Sequence, residues 1–391
     1  MGDLPRKLLS CLSMSITFAW AIISGIACGQ QYTETGNFWE GKRRWVVADR
    51  LEPIFPKALR PGDTIMFTAP SKHLDKKQML RAKRRLEERG LRVKVPETLF
   101  RKKGFLAGSD AERAAELMAA FADPEVHAIF PGTGGYGTTR ILDKLDYDLI
   151  RRNPKIIIGF SDITALHIAI HQRTGLVTFH TPNPETAFGK ERPLSDFAAR
   201  SFWRTMLAGK HADPLAETQS AGYAIETKLP DDGKSSEPAI PEGDVPPELV
   251  TMTSGVARGR LIGGNLSVLH ALMGTPYEIQ AKGKILFLED VGEAPYRIDR
   301  MLSTLRLAGK LDHVAGVVLG QFTARRDEAA WGDDASVDDV LRDYFEGLRV
   351  PVLAHFPVGH VRCNATLPIG AMAELDATNQ TLRLLESPVV Q

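Results

Sequence analysis

"IIIGFSD", residues Ile156 to Asp162, combines the apolar run, the glycine and the polar pair that decide how this chain folds. Three β-branched residues in succession are typical of a strand that is buried on both faces. The run stops at Gly159 and Phe160, and the helical stretch "DITALHIAIHQRTG" begins immediately afterwards. The pattern predicts a parallel strand that turns directly into a helix, with Ser161 in the turn.

Short apolar strands alternate with helices on both sides of this stretch, from "DTIMFTAPS" through "VHAIFPG". Such alternation is typical of a parallel sheet covered by helices on both faces. After a stretch rich in proline and acids, "GRLIGGNLSVLHALMGTPY", "KILFLED" and "VAGVVLGQF" indicate a second region with fewer helices. We therefore predict an α/β fold with an N-terminal parallel-sheet α/β domain and a smaller, β-rich C-terminal α/β domain.

The first 28 residues differ in composition from the rest of the chain. Arg6 and Lys7 precede a long apolar run, and the small residues Gly25 and Ala27 precede Cys28. This is the order of a secretory signal, so we expect export to the periplasm or cell envelope. Lipid attachment through Cys28 and an uncleaved membrane anchor stay open, and a non-functional leader would leave the protein in the cytoplasm.

Composition shifts divide the chain into five predicted parts. They are a leader (1–27), an N-terminal extension (28–60), an N-terminal α/β domain (61–190), a connecting region with an acidic, proline-rich linker (191–257) and a C-terminal domain (258–391).

The charge balance argues against a nucleic-acid partner. The 391 residues include 49 basic and 48 acidic side chains that are interspersed, which gives a net charge of +1. Small or peptidic ligands are more plausible. The three cysteines lack the paired spacings of zinc sites or disulfide frameworks, and we interpret Cys363 as a packing residue.

Ser161 has two interpretations at this stage. At a helix N-terminus its hydroxyl could attack a carbonyl, because the free N–H groups and the helix dipole would stabilise the resulting oxyanion. Alternatively, Ser161 or Asp162 simply caps the helix. The glycine-rich loop "PGTGGYGTTR", Pro131 to Arg140, matches neither the dinucleotide-binding motif G-x-G-x-x-G nor a P-loop with its Lys-Ser/Thr pair. An oxyanion-hole loop is therefore favoured over a phosphate-binding loop.

A serine nucleophile needs a base and a group that orients the base. The strand "KILFLED" ends on Glu289 and Asp290, and "FPVGH" ends on His360, so the order serine, acid, histidine fits a triad. His167 and His171 lie four residues apart on one helix, but no third metal ligand is nearby, and we interpret them as packing or surface residues.

Collinear motifs over about residues 60 to 385 carry a family resemblance. In chain order they are "GDTIMFTAPS", "GFLAGSDAERAAELMAAFADPEVHAIF", "GGYG", "NPKIIIGFSDITALH", "GRLIGGNLSVLHALMGTPY", "ILFLEDVGEAPYRIDRMLSTLRLAG" and "FPVGH". The chain resembles the LD-carboxypeptidases of peptidase family S66, also called muramoyltetrapeptide carboxypeptidases.

The resemblance implies a serine peptidase with Ser161 as nucleophile, His360 as general base and Glu289 as the residue that orients the base. The N–H of Asp162 and the loop formed by Gly134 and Gly135 would form the oxyanion hole. It also implies an active site in a cleft between the two domains and a homodimer, with no metal or cofactor.

The implied reaction is hydrolysis of the L,D-amide bond that releases terminal D-alanine from a murein tetrapeptide. Alternatives are hydrolysis of microcin C-type peptidyl-nucleotides, as in relatives of the same family, and a non-catalytic murein-peptide-binding protein. Asp290 and Glu293 are alternatives to Glu289. Many carboxypeptidase members have arginine directly before "GGYG", where this chain has Thr133.

Overall fold

The computed structural model describes residues 51–207, 244–323 and 336–391, together with the backbone of 223–225. All of these residues belong to one unit, Trp45–Gln391, and domain boundaries inside this unit stay a prediction. The predicted leader and Cys28 lie outside the described residues, so export and lipid attachment also stay predictions. In the described part of the chain, no helix is both long and apolar enough to cross a membrane.

From β1 to β5 the strands alternate with α-helices as the sequence predicts. The strands are β1 (Thr64–Thr68), β2 (Arg92–Lys94), β3 (Ala128–Pro131), β4 (Ile156–Gly159), β5 (Thr178–His180), β6 (Tyr223–Ile225), β7 (Val250–Thr253), β8 (Val256–Asn265), β9 (Ile285–Val291), β10 (Gly316–Thr323), β11 (Val352–Ala354), β12 (Leu367–Ile369), β13 (Met372–Asp376) and β14 (Thr381–Leu384). The α-helices are α1 (Lys76–Glu87), α2 (Asp110–Ala122), α3 (Tyr147–Arg152), α4 (Thr164–Thr174), α5 (Pro184–Ala187), α6 (Asp196–Met206), α7 (Leu266–Ala271), α8 (Pro295–Leu307) and α9 (Val337–Phe345).

The first sheet has the strand order β12-β5-β4-β3-β1-β2. Five strands are parallel, and β12 adds an antiparallel edge beside β5. Every residue of β3, β4 and β5 is buried. Burial on both faces explains the continuous apolar sequences of β3 and β4, whereas β5 places the polar residues Thr178 and His180 in the interior. The α/β fold class is thereby confirmed.

The second sheet has the order β6-β14-β13-β8-β9-β10-β11-β7. Its centre, from β8 to β11, is parallel, and the strands on both flanks are antiparallel. The last strand of the first sheet, β12, comes from the C-terminal part of the chain, just before β13. The two sheets are therefore linked by the chain itself as well as by packing.

Helix α4 follows the turn at Ser161 and is buried on nearly all sides. A helix in this position needs no polar face, which is why its sequence shows little amphipathic character. Its first residue, Thr164, contacts the second sheet: its hydroxyl accepts a hydrogen bond from the N–H of Asn265 at 3.1 Å. Helix α4 thus lies between the first sheet and β8.

Two local expectations differ from the structure. The stretch "TTRILDKLD" follows strand β3, and the alternation of strands and helices predicts a helix there. The structure instead has a 3₁₀ segment, Thr138–Lys144, followed by the short helix α3. Strand β7 lies at Val250–Thr253, in the stretch interpreted as linker, and pairs with β11. Only a partner strand distant in sequence stabilises β7, so local composition did not reveal it.

Candidate active site

Ser161 occupies a sharp turn between β4 and α4. Its φ is +62°, a left-handed conformation that is uncommon for a residue with a side chain. The residue two positions earlier must be glycine, because a Cβ on Gly159 would lie 2.7 Å from Ile163 Cγ2. A strand, a strained turn and a helix in this order present a serine hydroxyl at the carboxyl end of a sheet.

The side chain of Asp162 fastens this turn to the neighbouring strand ends. Its Oδ2 accepts hydrogen bonds from Ser71 Oγ at 2.7 Å and from the N–H of Thr138 at 2.9 Å. Helix α4 has Ile163 at its N-cap and no side-chain cap, so the interpretation of Ser161 or Asp162 as a simple cap of that helix is wrong. The carboxylate instead bonds to the start of the 3₁₀ segment.

The glycine loop after β3 lies directly against the turn at Ser161. A Cβ on Gly134 would lie 2.9 Å from Ser161 Cβ and 3.1 Å from the backbone nitrogen of Asp162. Only glycine permits this approach. Among the hydrogen bonds of the described residues, none uses the N–H of Gly134 or of Gly135. The predicted oxyanion donors therefore lie around Ser161, at the N-terminus of a helix.

Glu289 and His360 meet on the second sheet. Glu289 is fully buried near the end of β9, and its Oε2 accepts a hydrogen bond from His360 Nδ1 at 2.8 Å. A carboxylate at Nδ1 makes that nitrogen the donor, which leaves Nε2 as the ring's acceptor. Two glycines make room for the acid, because a Cβ on Gly359 would lie 2.9 Å from Glu289 Oε2 and one on Gly320 would lie 3.2 Å from Glu289 Cβ.

Phe160 connects the histidine to the nucleophile turn. Its ring centroid lies 4.7 Å from that of His360, and it directly precedes Ser161 in the chain. His360 keeps 19% of its side-chain surface exposed, whereas its partner carboxylate has none. The structure thus places the three predicted catalytic residues in one neighbourhood, and their roles stay a prediction.

Neither alternative acid contacts His360 in the described structure. The Asp290 carboxylate accepts hydrogen bonds from Ser267 and Asn265, and burial raises its pKa. Glu293 pairs with Arg297 at 3.4 Å. The geometry favours Glu289 as the acid that orients the histidine.

Sequence reasoning missed His180, which lies beside the nucleophile strand. It ends β5 and pairs in register with Gly159 of β4. Both of its ring nitrogens lack a hydrogen-bond partner among the described residues. Burial, with smaller contributions from His167 and His360, holds its pKa well below the usual value. The feature that could have revealed His180 is its position at the carboxyl end of β5, the strand next to β4, because ligands bind at the carboxyl ends of parallel strands.

The histidines on α4 are both packing residues. His167 Nε2 lies 2.8 Å from the carbonyl oxygen of Gly159, and His171 Nδ1 lies 3.2 Å from that of Leu176. Both rings are buried, so the expectation of a surface role is wrong for each. The part of the chain that the structure describes contains no cluster of side chains able to hold a metal ion.

Two family models match the chain. They describe the LD-carboxypeptidase N-terminal domain, over residues 65–181, and the LD-carboxypeptidase C-terminal domain, over residues 258–375. Each model contains part of the site: the first covers Ser161 and the glycine loop, and the second covers Glu289 and His360.

Curated relatives match over most of their own length. The probable murein peptide carboxypeptidase of Bacillus subtilis is 39% identical over 330 residues, covering 83% of this chain and 92% of the relative. The microcin C7 self-immunity protein MccF of Escherichia coli is 30% identical over 338 residues, covering 85% and 96%.

Solved structures have the same fold. MccF in complex with adenosine monophosphate superposes with a TM-score of 0.73 at 28% identity, covering 86% of this chain and all of that one. A muramoyltetrapeptide carboxypeptidase from Oxalobacter formigenes superposes with a TM-score of 0.66 at 28% identity, covering 82% and 97%. On the strength of both family models and these relatives, the chain belongs to peptidase family S66, the LD-carboxypeptidases.

Proposed function

We propose that the protein is a serine carboxypeptidase that hydrolyses the L,D-amide bond before the terminal D-alanine of a murein tetrapeptide. The observation that carries this proposal is the hydrogen bond between the buried Glu289 and the partly exposed His360, beside the strained turn of Ser161. The names of the murein peptide and muramoyltetrapeptide carboxypeptidase relatives support the substrate class.

In the first half of the reaction, Ser161 Oγ attacks the scissile carbonyl carbon while His360 Nε2 accepts the hydroxyl proton. Glu289 holds the imidazole in the correct tautomer and stabilises the imidazolium that forms. The N–H groups of Asp162 and the glycine loop donate to the oxyanion, at the positive end of α4. His360 then protonates the amide nitrogen, and D-alanine leaves with its new amino group.

The second half of the reaction restores the enzyme. A water molecule gives its proton to His360 and attacks the ester that joins the tripeptide to Ser161. Collapse of the second tetrahedral intermediate breaks the ester bond, and the proton returns to Ser161 Oγ. The products are a tripeptide with a free carboxylate and one D-alanine.

The test is mass spectrometry of a murein tetrapeptide after incubation with wild-type protein and with Ser161→Ala. We expect the wild type to release D-alanine and the variant to lose activity by roughly 10⁴-fold or more. A tetrapeptide ending in L-alanine is the matched substrate control and should resist cleavage. Equal activity of wild type and variant would remove Ser161 from the mechanism.

Hydrolysis of peptidyl-nucleotides is the second candidate function. It is favoured by the similarity to MccF, whose solved structures include a complex with adenosine monophosphate. The same assay with a microcin C-type peptidyl-nucleotide separates the two. If the protein cleaves the peptidyl-nucleotide and leaves the tetrapeptide intact, peptidyl-nucleotide hydrolysis replaces the murein reaction as the proposed function. Binding of either compound without turnover would support a non-catalytic binding protein.

A further inference from the structure

We propose that Lys72 binds the terminal carboxylate of the substrate and so makes the enzyme select chain ends. This inference rests on the proposed carboxypeptidase function. A hydrolase that removes one residue from a chain end must distinguish a free carboxylate from a continuing peptide, and a positioned cation provides that distinction.

The backbone of Lys72 is held close to the nucleophile turn. Its neighbour Ser71 donates a hydrogen bond from Oγ to Asp162 Oδ2 at 2.7 Å, and Asp162 directly follows Ser161. On the other side, Lys72 forms an antiparallel bridge with Leu106. The position of Lys72 is therefore coupled to that of the nucleophile.

The aliphatic stem of the Lys72 side chain packs against Gly135 of the glycine loop. A Cβ on Gly135 would lie 2.8 Å from Lys72 Cδ and 2.9 Å from Lys72 Cγ. The φ of Gly135 is +105°, a conformation that favours glycine. Consecutive glycines thus contact two different groups: Gly134 contacts the nucleophile, and Gly135 contacts the lysine stem.

This one-residue spacing matches the geometry of a chain end. The terminal carboxylate of a substrate lies one residue beyond the scissile carbonyl, and one residue spans about 3.5 Å. The two glycines are also one residue apart. A carbonyl carbon at Ser161, near Gly134, would direct the terminal carboxylate towards the region beside Gly135.

The ammonium group of Lys72 is available for this role. Its nearest carboxylate oxygen, Glu185 Oε1, lies 3.9 Å away, which is too far for a hydrogen bond. The side chain of Lys72 is 46% exposed and that of Glu185 is 9% exposed, so the acid lies deeper than the cation. An ammonium group has three donors, and Glu185 can engage only part of them.

The other cations near the glycine loop are already engaged. Arg113 is buried, donates to the carbonyl oxygens of Pro70 and Gly137, and pairs with Asp110. Arg140 also pairs with Asp110, at 3.0 Å. Lys72, by contrast, has a partly exposed side chain and only a long ion pair with Glu185, at 3.9 Å.

The test compares two substrates that differ only at the terminus: the tetrapeptide ending in D-alanine and the same peptide ending in D-alaninamide. Release of D-alanine or D-alaninamide is measured for wild type, Lys72→Met, Lys72→Arg and Lys77→Met. Lys77 is an exposed residue in the first turn of α1 and is the matched control. Thermal unfolding of each variant checks that the fold is retained.

For Lys72→Met we expect kcat/KM for the acid to fall roughly 10- to 100-fold, the range of a charged hydrogen bond, while the amide rate stays the same. The acid-to-amide preference should therefore collapse in Lys72→Met, persist partly in Lys72→Arg and be unchanged in Lys77→Met. Equal losses on both substrates, or no loss on either, would overturn the role of Lys72. A wild type that leaves the acid intact would instead overturn the proposed function, and this inference with it.

Discussion

The backbone at Ser161 has a conformation that few serines adopt, and its neighbours hold it there. Asp162 forms hydrogen bonds with Ser71 and with the backbone of Thr138, and the backbone of Gly134 packs against Ser161 so closely that only glycine fits there. Strain of this kind persists only where the surrounding structure determines it. At the scale of single residues, the site is thus a turn that is held by contacts with Ser71, Thr138 and Gly134 and that presents the hydroxyl of Ser161.

Substitutions of the two adjacent acids on β9, Glu289 and Asp290, should have different effects, one on catalysis and the other on stability. Glu289→Gln should lower kcat by roughly 10³- to 10⁴-fold with little change in stability, because it removes the charge that supports the imidazolium of His360. Asp290→Ala should lower the free energy of unfolding by about 1 to 3 kcal/mol, because the N–H and hydroxyl of Ser267 lose their acceptor. Steady-state kinetics and urea unfolding of both variants provide the measurements.

The two acids serve as each other's control. Loss of activity in Asp290→Ala together with normal activity in Glu289→Gln would show that the orienting acid had been misassigned.

Among the elements, the contact between α4 and β8 joins the halves of the site. Thr164 begins α4, and its hydroxyl accepts the N–H of Asn265, which ends β8. Gly264 lies beneath this contact, because a Cβ there would be 2.6 Å from Thr164 Cγ2. The first sheet carries Ser161 at the end of β4, and the second carries Glu289, which bonds His360, so this contact affects the relative position of the three residues.

Gly264→Ala should therefore destabilise the protein by about 2 to 4 kcal/mol, since it combines overpacking with a strained φ of +141°. The same change should lower kcat, because it displaces the start of α4. Gly347→Ala is the matched control, since a Cβ at that position meets nothing within 4 Å. Urea unfolding and turnover are the measurements, and equal behaviour of the two variants would contradict the role of this contact.

At the scale of the whole molecule, buried histidines make stability depend on pH. Burial lowers the pKa of His167 to about 4, against the opposing effect of its hydrogen bond to the carbonyl of Gly159, and burial also holds the pKa of His180 well below its usual value. The unfolded chain protonates these rings below about pH 6.5, whereas the folded protein does not. Stability is therefore lost as the pH falls.

For His167 alone, the loss between about pH 6.5 and pH 4 should approach 3 kcal/mol. The raised pKa of Asp290 acts in the opposite direction, because the folded protein binds that proton more readily than the unfolded chain. Urea unfolding at several pH values should show a decline towards acid, and His167→Gln should reduce its slope by up to about 1.4 kcal/mol per pH unit. An unchanged slope in that variant would exclude His167 as a source.

How far the sequence predicts the site depends on how local each feature is. The buried strand before Ser161, its abrupt turn and the helix that follows could be predicted because apolar periodicity and glycine placement act over a few residues. The collinear motifs, through the family resemblance, also predicted which serine, acid and histidine belong to the site. The contact between Phe160 and His360 had no local signal, since those residues are 200 positions apart in the chain.

By itself, the sequence determined the α/β class, the family and the strand that ends at the serine. Only the tertiary structure decided that Glu289 rather than Asp290 faces His360, that β12 returns to the first sheet, and that Lys72 packs against Gly135. The physical reason is that secondary structure follows from neighbours along the chain. The choice of partner instead depends on how two sheets, formed by distant segments, pack against one helix.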